Sequence, residues 1–224
     1  MSKKTAIVVG VGPGLGSALV KAFSHEGYTV FAAARKAAKL SGVRDAERVV
    51  PVDCDATQAT QVDALFERVT SIGPLGVAIF NAGAYERGTV VDTDPAQFER
   101  CWRVGAFGGF LLGRAAARHM LRAGQGTILF TGATASLRGG AGFVNLASPK
   151  FALRAVAQSM ARELGPKGIH VAHVVIDGQI GSSEGNADAY LDPRSIADAY
   201  VALHRQPRNA WTQELDLRPW SEKF

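Results

Sequence analysis

A run of glycines near the amino terminus constrains the fold more than any other feature of the sequence. Gly10, Gly12, Gly14 and Gly16 follow the apolar, β-branched run at residues 5–9 and precede a run with helical apolar spacing. A turn between a strand and a helix brings backbone N–H groups and a helix N-terminus to one point, which favours an anionic phosphate. The sequence therefore predicts a phosphate-binding turn, with a tight turn that binds no ligand as the alternative.

Strand-like and helix-like segments alternate along the rest of the chain. Strands are predicted near residues 5–9, 29–34, 48–52, 76–80, 126–130, 170–176 and 215–217, and helices near residues 15–26, 61–70, 95–123, 148–164 and 193–204. Such alternation is typical of βαβ units and of a parallel sheet covered on both faces. We therefore predict an α/β fold, a doubly wound parallel sheet in a single domain over residues 1–224. Ligands bind such sheets outside the carboxyl ends of the strands.

The composition fits a soluble globular protein, because 47% of the 224 residues are hydrophobic and 20% are charged. No apolar run is long enough to span a bilayer, and the first strand begins too early to leave room for a signal peptide. The two cysteines provide no disulfide framework. The net charge of +5 is scattered, without a basic stripe. We therefore expect a cytoplasmic protein with neither nucleic acid nor a membrane as its partner.

The residue after the second predicted strand bears on the kind of cofactor. In dinucleotide-binding sheets an acidic residue at this place binds the ribose 2′-hydroxyl of NAD, whereas an arginine suits the 2′-phosphate of NADP. Arg35 stands there, followed by Lys36, and a guanidinium can form two hydrogen bonds with a phosphate. The sequence favours NADP, and the alternative is that Arg35 is an exposed residue at the start of the next helix.

A second segment of small residues, Asn81-Ala82-Gly83, follows the fourth predicted strand. Together with the first glycine run, in which three residues and then one separate the matching glycines, this segment resembles the short-chain dehydrogenase/reductase family over nearly the whole chain. The resemblance implies a Rossmann-like sheet, a nicotinamide cofactor and oxidoreduction of a carbonyl or alcohol substrate whose identity the sequence does not give.

The resemblance also implies the residues around the cofactor. In the family an aspartate after the third strand contacts the adenine; Asp55 matches that place best, with Asp53 as the fallback and with a turn or helix-cap role at Thr57 as the alternative for Asp55. The implied cofactor-binding residues are Gly10, Gly14, Leu15, Gly16, Arg35, Asp55, Asn81, Ala82, Gly83, Lys150, Gly178 and Ser182.

Three of the four catalytic positions of the family are altered in this chain. The family's tyrosine exchanges a proton with the substrate oxygen, and its lysine binds the nicotinamide ribose and lowers the tyrosine pKa from about 10 toward neutrality. Here Lys150 is present but Leu146 replaces the tyrosine. The serine place falls on Ala133, with Thr134 beside it, and the asparagine place falls on Gly105.

Other groups are candidates for the missing chemistry. Thr134 carries a hydroxyl that replaces the serine if its loop shifts by one residue, Tyr85 follows the Asn81 segment, and Tyr190 lies near a short, Gly- and Ser-containing lid. We take Lys150, Thr134 and Tyr85 as the catalytic candidates, although a wall or lid residue is the simpler interpretation of both tyrosines. Two functions remain open: an oxidoreductase with an unusual proton source, and a non-catalytic dinucleotide-binding protein that acts as a sensor or a partner subunit.

Two further expectations concern packing and metals. The family resemblance implies a homodimer or homotetramer packed through two long helices, and small residues at 105–109 favour close packing there. Pro149, with Ser148 before it, is expected near the start of the helix at 148–164. His170 and His173 are three residues apart on a strand and so point to opposite faces, which gives no metal site.

Overall fold

The sheet of this protein is parallel throughout and is covered by helices on both faces. The structure, a computed structural model, describes residues 4–40, 42–43, 46–181 and 189–222. In these residues seven strands lie in the order 3-2-1-4-5-6-7. The strands are β1 (Thr5–Val9), β2 (Thr29–Ala34), β3 (Val49–Asp53), β4 (Leu75–Phe80), β5 (Gly126–Thr131), β6 (Ile169–Ile176) and β7 (Glu214–Leu217). The predicted doubly wound α/β fold is confirmed.

Six α-helices connect and cover these strands within the described residues. They are α1 (Leu15–His25), α2 (Ala59–Thr70), α3 (Pro95–Trp102), α4 (Gly108–Ala123), α5 (Val144–Leu164) and α6 (Pro193–Arg205). Short 3₁₀ turns stand at Ala37–Lys39, Thr134–Ser136 and Gly165–Lys167. Helices α3 and α4 are joined without a break by a π-helical segment, Arg103–Phe107, where the sequence predicted one regular helix. Such single-turn π segments are often found at functional sites.

Strand β4 shows how the two faces of the sheet are filled. Its side chains alternate, so that Ala78 and Phe80 join the core under α2, α4 and α5, whereas Val77 and Ile79 join the core under α1 and α6. Both faces are buried, as expected for a parallel sheet with helices on each side. From β1, the strands β2 and β3 are added on one side of the sheet, whereas β4 to β7 are added on the other side. At such a change in strand order a crevice for a ligand opens, here at the carboxyl ends of β1 and β4.

The glycines of α4 face the interior of the same chain. A Cβ atom at Gly109 would overlap the side chain of Leu153, and one at Gly108 would lie 3.2 Å from the Cβ atom of Ala56. At Gly113 it would lie 2.7 Å from the sulfur of Met160. Packing within the subunit therefore explains why these positions lack a side chain, and the homodimer or homotetramer stays a prediction.

Helix α5 begins earlier than the sequence predicted. It starts at Val144, four residues before Ser148, so Pro149 lies inside the helix and not near its start. A proline in the sixth helical position lacks the N–H that would bond the carbonyl four residues earlier, on Asn145. The preference of proline for the first helical turn favoured the later start.

Candidate functional site

A cavity of about 510 Å³ opens at the carboxyl ends of the central strands. Its walls come from the glycine turn after β1, the segment after β4, the end of β5, helix α5 and the segment after β6. The lining residues are Gly10, Gly12, Gly14, Leu15, Gly16, Asn81, Gly83, Ala84, Tyr85, Thr131, Gly132, Ala133, Leu146, Lys150, Ile176, Gly178 and Ile180. Many of the sequence-predicted site residues therefore share one cavity.

Two glycines of the glycine turn have no room for a Cβ atom, and two others border open space. Gly10 has a positive φ of 91°, and a Cβ atom there would lie 2.5 Å from the Cα atom of Ala82. At Gly16 a Cβ atom would lie 2.7 Å from the Cα atom of Val11. At Gly12 and Gly14 it would meet no atom within 4 Å. The first pair is required by the turn itself, whereas the absent side chains of the second pair keep the cavity side of the turn accessible.

The N-terminus of α1 adds a partial positive charge to this open space. Its N-cap is Gly14, which supplies no side-chain hydrogen bond to the first N–H groups of the helix. The turn is fixed from behind, because Asn81 Nδ2 donates to the carbonyl of Gly10 at 3.0 Å and Asn81 N donates to that of Val9 at 2.8 Å. An uncapped helix end in a fixed, open turn suits an anionic phosphate.

Three predicted residues follow or end the neighbouring strands: Arg35 follows β2, Asp53 ends β3 and Asp55 follows it, and none of them lines the cavity. Arg35 is exposed. Asp53 Oδ1 accepts a hydrogen bond of 2.6 Å from the N–H of Ala37, which fixes the loop after Arg35. Asp55 Oδ1 accepts from the N–H and the hydroxyl of Thr57 at 2.9 and 2.8 Å. Asp55 thus has the turn-stabilising role that the sequence left open as an alternative, and its adenine contact stays a prediction.

Lys150 is the buried cation of the site. Its Nζ atom donates to the carbonyl of Thr131 at 2.7 Å, and a Cβ atom at Gly83 would lie 4.0 Å from it. Burial lowers the pKa of Lys150 to about 8. In the part of the chain that the structure describes, no carboxylate lies within ion-pair distance of this ammonium, so a bound polar ligand has a donor available to it.

Leu146 lies one helical turn before Lys150 and lines the same cavity, as does Ala133. These are the tyrosine and serine places of the family resemblance, and neither side chain can exchange a proton. The asparagine place, Gly105, lies in the π-helical segment, and a Cβ atom there would lie 2.9 Å from the Cβ atom of Pro149. Pro149 thus takes up the space that a side chain at position 105 would need.

Thr134 is directed away from the cavity. Its hydroxyl donates to Asp177 Oδ1, and the residue lines a neighbouring cavity of about 380 Å³. Burial would raise the pKa of Asp177, but the hydrogen bonds from Thr134 and Arg218 outweigh it and hold that pKa below its ordinary value. Because its hydrogen is given to a carboxylate, the Thr134 hydroxyl presents only lone pairs to any other group.

The remaining predicted residues lie at the mouth of the cavity or outside the described chain. Tyr85 lines the cavity and is 44% exposed. Gly178 has a φ of 149° and borders both cavities, while Tyr190 borders only the smaller one. Ser182 lies outside the described residues.

Sequence reasoning missed two arrangements around the site. One is the buried ion pair between Asp177 and Arg218, which joins the end of β6 to the segment after β7. The other is the face-to-face contact of Tyr85 with Phe143, at a centroid distance of 5.4 Å. Both join residues more than 40 positions apart, so no local pattern signals them, although Asp177 was visible as an aspartate directly before Gly178.

The two histidines of β6 serve the structure. His170 bonds the carbonyl of Thr212 at 2.8 Å and stacks on Trp211, whereas His173 bonds Glu214 at 3.1 Å. Burial lowers the pKa of His173 to about 4. Over the described residues no group of three potential ligands could hold a metal ion. None of the helices in the same residues has both the length and the apolar character that a membrane crossing requires.

The sheet order, the glycine turn and the lysine on α5 define a Rossmann-like dinucleotide-binding protein. Residues 4–182 match the family described as short chain dehydrogenase, and the chain belongs to this family of oxidoreductases. It is 31% identical over 206 residues to a (21S)-21-acetoxyl-apo-melianone synthase of Melia azedarach, covering 86% of this chain and 72% of that one.

Solved structures give the same result. A short-chain dehydrogenase from Rhodopseudomonas palustris is 43% identical, with a TM-score of 0.88 and coverage of 97% of this chain and 99% of that one. A metagenomic short-chain oxidoreductase in complex with NADP is 26% identical, with a TM-score of 0.86 and coverage of 97% and 98%.

Proposed function

We propose that this protein binds NADP(H) and reduces a carbonyl substrate with a proton source other than a tyrosine on α5. The observation that carries the proposal is the single cavity in which an open, uncapped glycine turn and the buried Lys150 face the same space. A dinucleotide needs an anion site at one place and a donor for its nicotinamide ribose at another, and these two features supply them.

The residues of the chain fit this cofactor in a definite way. The N–H groups at Gly14, Leu15 and Gly16 would hold the pyrophosphate, and Lys150 would bind the nicotinamide ribose. The bound cofactor would supply a hydride at the end of the cavity lined by Leu146, Ala133 and Ile180. Leu146 makes that wall of the cavity apolar.

The choice of NADP over NAD rests on Arg35. It stands directly after β2 with Lys36 next to it, and the hydrogen bond that the N–H of Ala37 donates to Asp53 Oδ1 fixes the loop that follows both. A charge-assisted hydrogen bond contributes about 1.5–3 kcal/mol, so we expect NADPH to bind at least about tenfold more tightly than NADH. The NADP complex of the metagenomic relative also supports this choice.

Titration of both cofactors by calorimetry tests the proposal. We expect Arg35→Ala to remove most of the preference for NADPH and to leave NADH binding within about twofold of the wild type, because NADH has no 2′-phosphate. Arg122→Ala, at an exposed arginine in the last turn of α4, is the matched control. Equal affinities for the two cofactors in the wild type, or a preference that persists in Arg35→Ala, would contradict it.

Leu146 supports a second candidate, a non-catalytic dinucleotide-binding protein that acts as a sensor or partner subunit. The two candidates differ in turnover and agree in binding. NADPH fluorescence that changes on binding, without oxidation over a panel of carbonyl compounds, would favour the second.

We also propose a homodimer or homotetramer, now on the basis of aromatic side chains and not of glycines. Phe110 on α4 and Phe151 on α5 are 42% and 43% exposed. Light scattering at micromolar concentration tests this, and a monomer there would refute it.

A further inference from the structure

The mouth of the main cavity carries an aromatic surface that the family's chemistry does not require. The ring of Tyr85 lies face to face with that of Phe143, with centroids 5.4 Å apart and planes inclined by 6°. The guanidinium of Arg87 lies 5.6 Å from the centroid of Phe143. Tyr85 is 44% exposed and lines the cavity, so part of its ring is available to a ligand. Offset stacking on such a ring favours a flat, electron-poor molecule.

This aromatic surface is held in place by two hydrogen bonds. Asn145 Nδ2 donates to the carbonyl of Glu86 at 3.0 Å, and the N–H of Gly88 donates to the carbonyl of Gly142 at 3.2 Å. The segment that follows Tyr85 is thereby fastened to the segment that leads into α5. Binding a flat molecule on a fixed ring costs less ordering entropy than binding it on a mobile one.

The face of α5 continues this surface into the cavity. Phe143, Leu146 and Lys150 are spaced by three and four residues, so they lie along one side of the helix and its N-cap. Leu146 and Lys150 line the cavity, whereas Phe143 lies outside its lining and stacks against the ring of Tyr85. Other apolar residues that line the same cavity are Ala84, Ala133, Ile176 and Ile180.

The chemistry of the pocket narrows the substrate further. Hydride addition to a saturated ketone gives an alkoxide about as basic as hydroxide, for which a positioned acid typically contributes about 10²–10⁴-fold. Leu146 and Ala133 supply no such acid. Hydride addition to a quinone gives the anion of a hydroquinone, whose pKa is near the value of about 10 of a phenol, so water can protonate it without a positioned acid.

We propose, building on the NADP(H)-dependent reduction suggested above, that the substrate is a flat conjugated quinone that stacks on the ring of Tyr85. The C4–H bond of the dihydronicotinamide breaks, and its hydrogen nucleus and two electrons form an O–H bond on one quinone oxygen while the other oxygen takes the negative charge. NADPH is thereby oxidised to NADP⁺ and the quinone is reduced to the hydroquinone anion. The hydroquinone anion then takes one proton from water. The sum is quinone + NADPH + H⁺ → hydroquinone + NADP⁺.

Two acceptors of similar size test the proposal: 2-methyl-1,4-naphthoquinone, which is flat, and 2-decalone, which is saturated. We expect anaerobic kcat/KM with NADPH to be at least about 10²-fold higher for the quinone.

We expect calorimetry to show that Tyr85→Leu binds the quinone about threefold to tenfold more weakly than the wild type, which corresponds to one lost stacking contact. Tyr85→Phe keeps the aromatic ring, and we expect this variant to bind the quinone several-fold more tightly than Tyr85→Leu does. Val90→Ala, on the same loop at a side chain that is 74% exposed and outside the cavity lining, is the control.

Three results would overturn the assignment. The first is equal kcat/KM for the two acceptors, and the second is equal quinone affinity in Tyr85→Leu and the wild type. The third is loss of turnover in Tyr85→Phe with unchanged quinone affinity, because this result would make the Tyr85 hydroxyl the proton donor. Failure of the cofactor proposal is seen separately, as absence of NADPH binding in a titration without quinone. Quinone affinity is measured on the cofactor-free protein in either case.

Discussion

The two halves of the candidate site differ in what they have kept of the family's pattern. In the half formed by β1 and β4, the glycine turn and the Asn81 segment fit each other by backbone contacts, and Gly10 and Asn81 are joined by a 3.0 Å hydrogen bond. In the half formed by β5, β6 and α5, the places that the family resemblance assigns to proton-exchanging side chains hold Leu146 and Ala133, and Lys150 lines the cavity with them.

The difference shows which parts of the site the fold depends on. A positive φ at Gly10 and the lack of space for a Cβ atom there make the first half inseparable from the packing of β1 against β4. Leu146 and Ala133 line open space, so their identity matters to a ligand and hardly to the fold. We therefore expect binding and catalysis to be separable in this protein, and the following predictions test that separation.

The largest effect concerns the second half. We expect wild-type kcat/KM for simple ketones and aldehydes to be about 10²–10⁴-fold below that of an enzyme with a positioned acid, while NADPH binding is intact. Leu146→Tyr is expected to recover only part of this factor, because catalytic residues that act as a unit are not additive. Steady-state NADPH oxidation over a carbonyl panel is the measurement.

Rapid wild-type turnover of those ketones would contradict the inferred lack of a proton donor in the second half of the site. In that event Thr134→Ala and Tyr85→Phe would be assayed next. Loss of turnover in either variant would identify the replacement donor, whereas unaffected rates would leave water or the substrate as the proton source.

A smaller but complementary effect is expected in the first half. Gly14→Val should weaken NADPH binding by at least about 10²-fold, or about 2.7 kcal/mol, since its side chain would project into space left open above the turn. The fold should survive, because no protein atom lies within 4 Å of the new Cβ atom. Gly139→Val, at another glycine with the same open surroundings, is the matched control. Calorimetry and far-UV circular dichroism distinguish loss of binding from loss of structure, and unchanged affinity would move the phosphate site elsewhere.

The sequence predicted the glycine turn of the first half because the turn is local. A strand, a glycine turn and a helix are contiguous in the chain, and their order alone predicts the geometry around Gly10 and Gly16. The start of α5 was predicted four residues too late, because the preference of Pro149 for a helix start outweighed the weaker signal at Val144. The Tyr85–Phe143 stack and the Asp177–Arg218 pair depend on tertiary packing between distant segments, which no periodicity encodes.

The smallest effect concerns the contact that couples α5 to the π-helical segment. Gly105 and Pro149 face each other so closely that a Cβ atom at position 105 would lie 2.9 Å from the proline Cβ atom. Gly→Ala in an unobstructed helix stabilises by about 1 kcal/mol. We expect Gly105→Ala to lower the free energy of unfolding instead, by about 1–3 kcal/mol, because the proline ring is rigid and cannot yield.

Gly165→Ala is the matched control for this last change. Gly165 has right-handed helical angles at the C-cap of α5, and a Cβ atom there meets no atom within 4 Å apart from its chain neighbours. Because Pro166 follows and disfavours helical angles in a residue with a Cβ atom, we expect no gain in urea unfolding and a change smaller than about 1 kcal/mol. Gly105→Ala combined with Pro149→Gly should recover most of the loss, since the double variant removes the opposing Cβ atom. If Gly105→Ala did not lower the free energy of unfolding, position 105 could accept a side chain. An asparagine could then be introduced at position 105 without altering α5, and the family's catalytic residues could be restored in the second half of the site by one substitution at a time.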